Sequence, residues 1–581
     1  MKHYDYYDVL KAFAIIAVVL YHMGLCEYGY LGVDIFLVIA GYFTSKSIDK
    51  HIDSGRYLLF ISNRIFRLGP LLLIAGTVCL VFGCMMMLPD DLENLAQSIV
   101  ATNFFGNNIL AAITTKNYWD VSNNYKPLMH TWYIGLLMQF YVIIPFLFFA
   151  VGKIVRTAET RKRINIAMIA TISIGSLALY LFSTNNAFKF YFLPYRLYEF
   201  GFGSLAFYLF GAVSSGNIGN KKLVNIGMVI TYVLILALLF IETDIVTRPV
   251  KLLSIVSLTA ILLILMPRTI WVQGKILSNK WLACIGSACF SIFVWHQILI
   301  ALTRYSFTIN IGDLLPFVSI IAILTILSAL SYKYIEQVKK IKTALVFSFL
   351  LLVVTTSAAL YIYKIAGVVR DVPELEVFKG NVHRGMWAEY CDRAYKYDKD
   401  FTETEKYKWY VIGNSFGRDM VNIILESHIA DSVEVSYSYI SVYQDKKVRF
   451  LNADVVFLST LGLDKTIIED VKSRCSANAQ FFIIGEKNFG ESNGQIYRHR
   501  FSKDYHNMTI HMEDGYAQKN EQLKAIYPDN YIDMIEMVKQ IDGRVRVFTS
   551  DGHFISQDCR HLTKAGAQYY AEMMDWNRFL K

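Results

Sequence analysis

The pattern with the clearest chemical promise is Ile412-Gly413-Asn414-Ser415-Phe416-Gly417, at the end of the apolar run Lys408–Ile412. A strand, a sharp turn of small residues and then a helix would expose Ser415 at a helix N-terminus. Backbone N–H groups there can help to stabilise an oxyanion. A serine becomes a nucleophile only beside a base that is itself oriented by an acid. Asp558-Cys559-Arg560-His561, late in the chain, can supply both. A second chemistry is offered by His22, which ends the apolar run that follows Asp8. An ionisable side chain that deep in apolar sequence is costly unless it has a partner or a task. Lys11, Asp34, Arg64, Arg67, His130, Arg196, Glu199, His296 and Glu336 share this setting. Several have plainer readings. Lys11 can snorkel to an interface. Arg64 and Arg67, one turn apart at a helix start, can clamp phosphates or serve as ordinary cytoplasmic-side cations. Arg196 and Glu199, at i and i+3, can neutralise each other. A structural hydrogen bond would explain His296 as well as chemistry would. His22 is the strongest candidate for reactivity, and Lys11, eleven residues before it, shares its helix face.

The elements that must position these groups are mostly apolar. The chain has 581 residues, of which 54% are hydrophobic and 18% charged, with mean hydropathy +0.36. Soluble domains are about a quarter charged, so most of this chain reads as membrane protein. The net charge of +9 falls in short clusters between apolar runs, unlike a nucleic-acid-binding stripe. Runs of about 20 apolar residues give about eleven spans, near 9–24, 30–45, 68–88, 129–151, 164–183, 190–210, 223–241, 249–266, 282–302, 314–332 and 343–363. The start, MKHYDYYD, lacks a strongly basic leader region, so the first run reads as a retained helix. Glycines 29, 32 and 41 point to close packing or a break in the second.

Lys/Arg asymmetry orients the spans. Lys46, Lys50, Arg56, Arg64 and Arg67 precede the third span, and Lys153, Arg156, Arg161, Lys162 and Arg163 fill the next loop on that side. Lys221 and Lys222, then Arg268, Lys275 and Lys280, then Lys333, Lys339, Lys340 and Lys342 continue the series. Alternate loops hold Asp90, Asp91 and Glu93, or Glu242 and Asp244. The N-terminus is therefore expected in the cytoplasm, and an odd span count puts the polar C-terminal part outside.

Beyond Tyr363 the composition turns polar. Strand-like runs at 408–412, 433–438, 455–458, 481–484 and 545–548 alternate with helical stretches at 420–427, 465–474, 531–540 and 564–577. Such alternation predicts an α/β domain with a parallel sheet. The expected organisation is a membrane domain over 1–342, a last transmembrane helix and linker over 343–368, and an extracytoplasmic domain over 369–581. The cysteines show no metal-ligand spacing. Cys391, Cys475 and Cys559 permit one disulfide, with the pairing open.

The opening Asp8-Val9-Leu10-Lys11, His22, and Gly32-Val33-Asp34 with Gly41 resemble the start of membrane-bound acyltransferase family 3. Arg64-Ile65-Phe66-Arg67 before Pro70 resembles its RxxR element. His130-Thr131-Trp132 with Gln139-Phe140-Tyr141, Arg196…Glu199 before Gly203, Ser291…Trp295-His296 and Ser331-Tyr332…Ile335-Glu336 extend the likeness over about residues 5–340. The resemblance implies acyl transfer from cytoplasmic acetyl-CoA toward a carbohydrate across the membrane. By it, His22 would be the catalytic base or acyl relay, with Lys11, Arg64 and Arg67 on the donor. Two departures stand out. Lys11 replaces the usual arginine, keeping the charge and losing the bidentate fork. Leu137 and Met138 stand where the family usually has acids.

The Ser415 and Asp558/His561 elements resemble an SGNH hydrolase-like domain, often fused behind such membrane domains, although Asn414 replaces the usual aspartate. The likeness makes Ser415 the nucleophile, His561 the base and Asp558 its partner, with Gly462 and Asn488 as oxyanion donors. The expectation is thus a bacterial plasma-membrane O-acetyltransferase of cell-surface polysaccharide, using acetyl-CoA, no metal and no nucleic acid. An anchored extracytoplasmic carbohydrate esterase and an inactive glycan transporter or scaffold are the alternatives.

Overall fold

The computed structural model describes residues 6–51, 56–114, 123–155, 157–210, 221–242, 246–268, 279–307, 311–337, 341–383 and 385–580. Of the charges used for orientation, Arg156, Asp244, Lys275, Lys339 and Lys340 lie outside them. The chain forms two compact units, one of Met1–Gly83 with Leu95–Leu360 and one of Cys84–Asn94 with Tyr361–Lys581.

The first unit is helical: α1 (Tyr6–His22), α2 (Gly32–His51), α3 (Tyr57–Met86), α4 (Pro89–Asn103, which runs in from the other unit), α5 (Asn107–Thr114), α6 (Trp132–Ile154), α7 (Ala158–Phe182), α8 (Asn186–Tyr191), α9 (Leu197–Phe210), α10 (Lys221–Phe240), α11 (Arg248–Leu265), α12 (Lys280–Ser287), α13 (Cys289–Ser306), α14 (Leu314–Ser331) and α15 (Ile341–Lys364). Each of the eleven expected segments is helical, but they do not all have spanning length. Eight helices among the described residues are long and apolar enough to cross a membrane, or nine if α12 and α13, bent by 71°, count as one. Helix α1 stops at 17 residues. The expected span at 190–210 is broken at Leu193–Tyr195, where Pro194 lacks an N–H to continue a helix, and α9 has only 14 residues. Arg64 and Arg67 lie well inside α3, which begins at Tyr57 rather than at the predicted 68.

Helix α2 is gripped on two sides. A Cβ on Gly32 would come 2.4 Å from the Ala14 carbonyl oxygen, and one on Gly41 would come 1.9 Å from that of Phe200. Only glycine allows these backbones so close, as small residues do in lipid-embedded bundles. Asp34 is thereby fixed beside Arg196, and His22 at the far end of α1 from Lys11.

The second unit holds a parallel sheet of β1 (Tyr407–Gly413), β2 (Val433–Tyr439), β3 (Val455–Ser459), β4 (Gln480–Ile484) and β6 (Tyr531–Ile532), in the order β2-β1-β3-β4-β6. β5 (Thr509–Ile510) and β7 (Val545–Arg546) form a separate antiparallel pair. Alternate residues go to opposite faces, and both faces are buried. Trp409, Val411 and Phe457 pack on one side, Tyr410, Ile412 and Leu458 on the other. The helices of ten or more residues that begin in Tyr361–Lys581 are α16 (Ser415–Glu426), α17 (Lys465–Arg474), α18 (Tyr516–Ile526) and α19 (Lys564–Met573).

Two predictions are corrected here. Residues 531–540 are not a helix: Tyr531–Ile532 pair with β4, and Asp533 accepts from Ile535 and Glu536 N–H, leaving one capped turn. The run at 545–548 joins the antiparallel pair rather than the main sheet. The three C-terminal cysteines are free thiols.

Candidate active site

The chain crosses from β1 to neighbours on both sides, β2 and β3. That reversal opens a crevice at the carboxyl ends of β1 and β3, where α/β sheets bind ligands. Ser415 is the first residue of α16, directly after β1, with Asn414 capping the helix by accepting from Phe416 N–H at 3.0 Å. The Ser415 hydroxyl oxygen lies 2.8 Å from His561 Nε2, and His561 Nδ1 lies 2.6 Å from Asp558 Oδ2. Asp558 Oδ1 also accepts the backbone N–H groups of Arg560 at 3.1 Å and His561 at 2.8 Å. That tight turn requires a positive φ of 69° at Cys559, a conformation that non-glycine residues rarely adopt. Burial pushes the Asp558 carboxyl up. The opposing charge of His561, its ring hydrogen bond and the two backbone donors outweigh burial, and the group ends below the ordinary carboxylate range. Ser415 and His561 are 4% and 1% exposed, so the row is shielded from solvent.

The other two residues expected here are engaged. Gly462, after β3, donates its N–H to Glu486 Oε1 at 3.0 Å, and Lys519 pairs with the same oxygen. Asn488 Oδ1 accepts from Gly490 and Glu513 N–H, each at 2.9 Å, and its Nδ2 donates to the Gly490 carbonyl at 3.3 Å. A buried ion pair missed from the sequence braces the site. Lys487 Nζ lies 2.7 Å from Asp419, one helical turn after Ser415, while Asp419 accepts from Leu562 N–H next to His561. No local spacing reveals a pair 68 residues apart.

The first unit holds a second constellation. A cavity of about 760 Å³ at the Lys11 end of α1 is lined by Lys11, Arg64 and Arg67 together. Lys11 Nζ pairs with Asp8 at 2.8 Å, and the Arg64 guanidinium covers the Tyr141 ring at 4.9 Å. Leu137, which stands where the resembled family usually has an acid, also lines this cavity. A second cavity of about 690 Å³ at the other end of α1 is lined by His22, His130, Asp34 and Arg196. Arg196 does more than neutralise Glu199. It reaches Asp34 at 2.6 Å and Glu199 at 3.1 Å, all three buried. Three histidines from distant segments converge. The His296 ring centroid is 5.1 Å from that of His22 and 5.2 Å from that of His130. His296 Nδ1 donates to the Phe293 carbonyl at 2.6 Å, which leaves Nε2 as the free ring nitrogen. That Nε2 is buried without a hydrogen-bond partner. Arg304 donates to the His22 carbonyl at 2.9 Å. The sequence marks all three histidines as intramembrane, but not that they meet. Among the described residues no group of three or more His, Cys, Asp or Glu side chains is placed to hold a metal ion.

Comparisons agree with the helical unit. The acyltransferase-domain family (Acyl_transf_3) matches residues 4–362. A Staphylococcus aureus protein of strain COL, provisionally named an O-acetyltransferase, is 30% identical over 361 residues, 58% of this chain and 57% of that protein. The O-acetyltransferase OatA of S. aureus strain NCTC 8325 is 26% identical over 367 residues, 59% of this chain and 58% of OatA. The chain thus spans little more than half the length of these relatives. No solved structure matches it. The family match takes in both ends of α1, the basic cavity and the three histidines, and it covers more than half of the chain, which belongs to the acyltransferase 3 family.

Proposed function

We propose that this protein is an O-acetyltransferase that takes an acetyl group from cytoplasmic acetyl-CoA and delivers it to a hydroxyl of a cell-surface polysaccharide, through an acyl-enzyme on Ser415. The observation that carries this reading is the Ser415–His561–Asp558 row at the sheet crevice, in a chain whose other part belongs to an acyltransferase family. On this reading the N-terminus faces the cytoplasm, and residues 369–581 form an extracytoplasmic SGNH-like domain behind a membrane domain of 1–342 and a linker of 343–368. Lys11, Arg64 and Arg67 would hold the donor's phosphates. The cavity they share is also lined by Phe36, Phe43 and Leu68, so it offers both cations and apolar surface to an anionic thioester. When bound, acetyl-CoA supplies the activated acyl group, and His22 serves as base or relay in the membrane.

In the outer reaction His561 Nε2 takes the Ser415 proton as Oγ bonds to the acyl carbon, and gives it to the group that carried the acyl as the bond to that carrier breaks. Asp558 holds the imidazole in the tautomer that allows this and stabilises the imidazolium. Gly462 N–H, once released from Glu486, and the second Nδ2 hydrogen of Asn488 would receive the oxyanion. The sugar hydroxyl then attacks and gives its proton to His561, and the Ser415 ester bond breaks as His561 returns that proton to Oγ.

Ser415→Ala should abolish acetylation of surface glycan in whole cells, read by mass spectrometry of the released polysaccharide. Unchanged acetylation would sink the outer step. A loss of glycan acetyl when the wild-type protein is expressed would instead mean that water, not sugar, is the acceptor.

A further inference from the structure

We propose that Phe293 is the septum between the donor and acceptor chambers of the membrane unit, and that its ring keeps water in the His22 chamber from the thioester. The inference rests on the reading of the Lys11 cavity as the donor site. Among the described residues, Phe293 alone lines both cavities. It sits on α13, after the 71° bend, and is 5% exposed. Its ring packs against Tyr133 on the Lys11 side and His130 on the His22 side, each with centroids 5.2 Å apart. Its carbonyl accepts from His296 and so sets which nitrogen of that histidine is free. One aromatic side chain thus stands between a basic chamber and three histidines.

Such a wall has a chemical purpose. A thioester beside water is hydrolysed: water oxygen bonds to the acyl carbon, the C–S bond breaks, and the thiolate takes the proton that water loses. Excluding water from a reactive intermediate suppresses this waste reaction. Removing the ring by Phe293→Ala would join the chambers and let water and small solutes pass. Phe293→Leu keeps an apolar plug of smaller size and should open the path partially.

Cys289 supplies a probe that does not depend on catalysis. It is a half-buried free thiol that lines the Lys11 cavity. A membrane-impermeant methanethiosulfonate would be added to right-side-out and inside-out vesicles that contain the full chain, with labelling of the Cys289 peptide read by mass spectrometry. The wild type should label from one membrane face only. In Phe293→Ala, labelling from the opposite face should rise about ten-fold, equivalent to removing about 1.4 kcal/mol of barrier, with a smaller rise in Phe293→Leu. Labelling of the wild type from both faces, or from one face alone in both variants, would overturn the proposal. In the same preparations the ratio of CoA released to acetyl transferred should rise in Phe293→Ala. If the wild type transfers no acetyl from acetyl-CoA, the donor reading fails, while the labelling still decides whether Phe293 is a septum.

Discussion

Asp558 links the proposed catalytic row to the stability of its own turn. Its carboxylate holds the His561 ring and closes its own turn through two backbone donors. Asp558→Asn preserves the shape but offers an amide N–H where the ring nitrogen needs an acceptor. Ester cleavage at Ser415 should fall by about 10³- to 10⁴-fold, measured with an activated acetyl ester on the full chain. The variant also loses charge-assisted hydrogen bonds worth about 1.5–3 kcal/mol at neutral pH. The folded carboxyl titrates below its unfolded value. Its contribution is therefore fully present above about pH 4 and is lost as the pH falls through the folded value. Hydrogen exchange in β1 should be faster in Asp558→Asn than in wild type near neutrality, and the two should converge in acid. A gap that stays constant down to the acid limit would mean that the stabilisation does not come from the ionised carboxylate. Ser415, Asp558 and His561 were legible in the sequence because two short patterns carry them, a small-residue turn after an apolar strand and an Asp-x-x-His. Asp419–Lys487, and the contact of Gly462 with Glu486, were not, since each needs the strand order to bring distant loops together.

At the scale of elements, α2 is the part on which the membrane site depends. Through it Asp34 meets Arg196, and through Gly41 it lies against α9. Gly41→Val would drive a branched side chain into the Phe200 backbone, where no flexible tip can yield. The helices must separate, at a cost of at least about 1–3 kcal/mol. The variant's melting temperature in detergent should drop, followed by fluorescence-detected size exclusion, whereas Gly175→Val, where a Cβ meets nothing within 4 Å, should leave it unchanged. Equal melting of both variants would show that the close approach is unimportant. Elements with strong punctuation could be read in advance. Helix α17 has the predicted bounds Lys465–Arg474, with Asp464 capping it through Ile467 N–H. Residues 531–540 mislead because Ile532, Ile535 and Val538 have helical spacing, while pairing with β4 and the Asp533 cap decide otherwise. Helix α4 carries a stripe of Leu92, Leu95, Ala96 and Ile99, but at 15 residues with Asp90 and Asp91 in its first turn it is not an apolar run of spanning length. Helix α18, rich in glutamine, lysine and glutamate, shows no such stripe.

For the whole molecule, the two candidate constellations lie in units with separate hydrophobic cores, His22 in one and Ser415 in the other. A relay makes a distinct prediction from a single site with accessory residues. His22→Ala should abolish glycan acetylation from acetyl-CoA, because the acyl group no longer reaches the serine. It should leave cleavage of a small soluble acetyl ester intact, because the Ser415–His561–Asp558 row and the sheet that builds it involve no part of the helical unit. Ser415→Ala should abolish both. Assaying the two full-length variants side by side in proteoliposomes, with acetyl-CoA and then with the soluble ester, separates the models. Loss of ester cleavage in His22→Ala would mean that the serine cannot act without the membrane histidine. Survival of glycan acetylation in that variant would mean that the acyl group takes another route. On the proposed relay, Lys11 and His22, about 16 Å apart by helix rise, would set its direction, with donor phosphates at one end of α1 and acyl chemistry at the other.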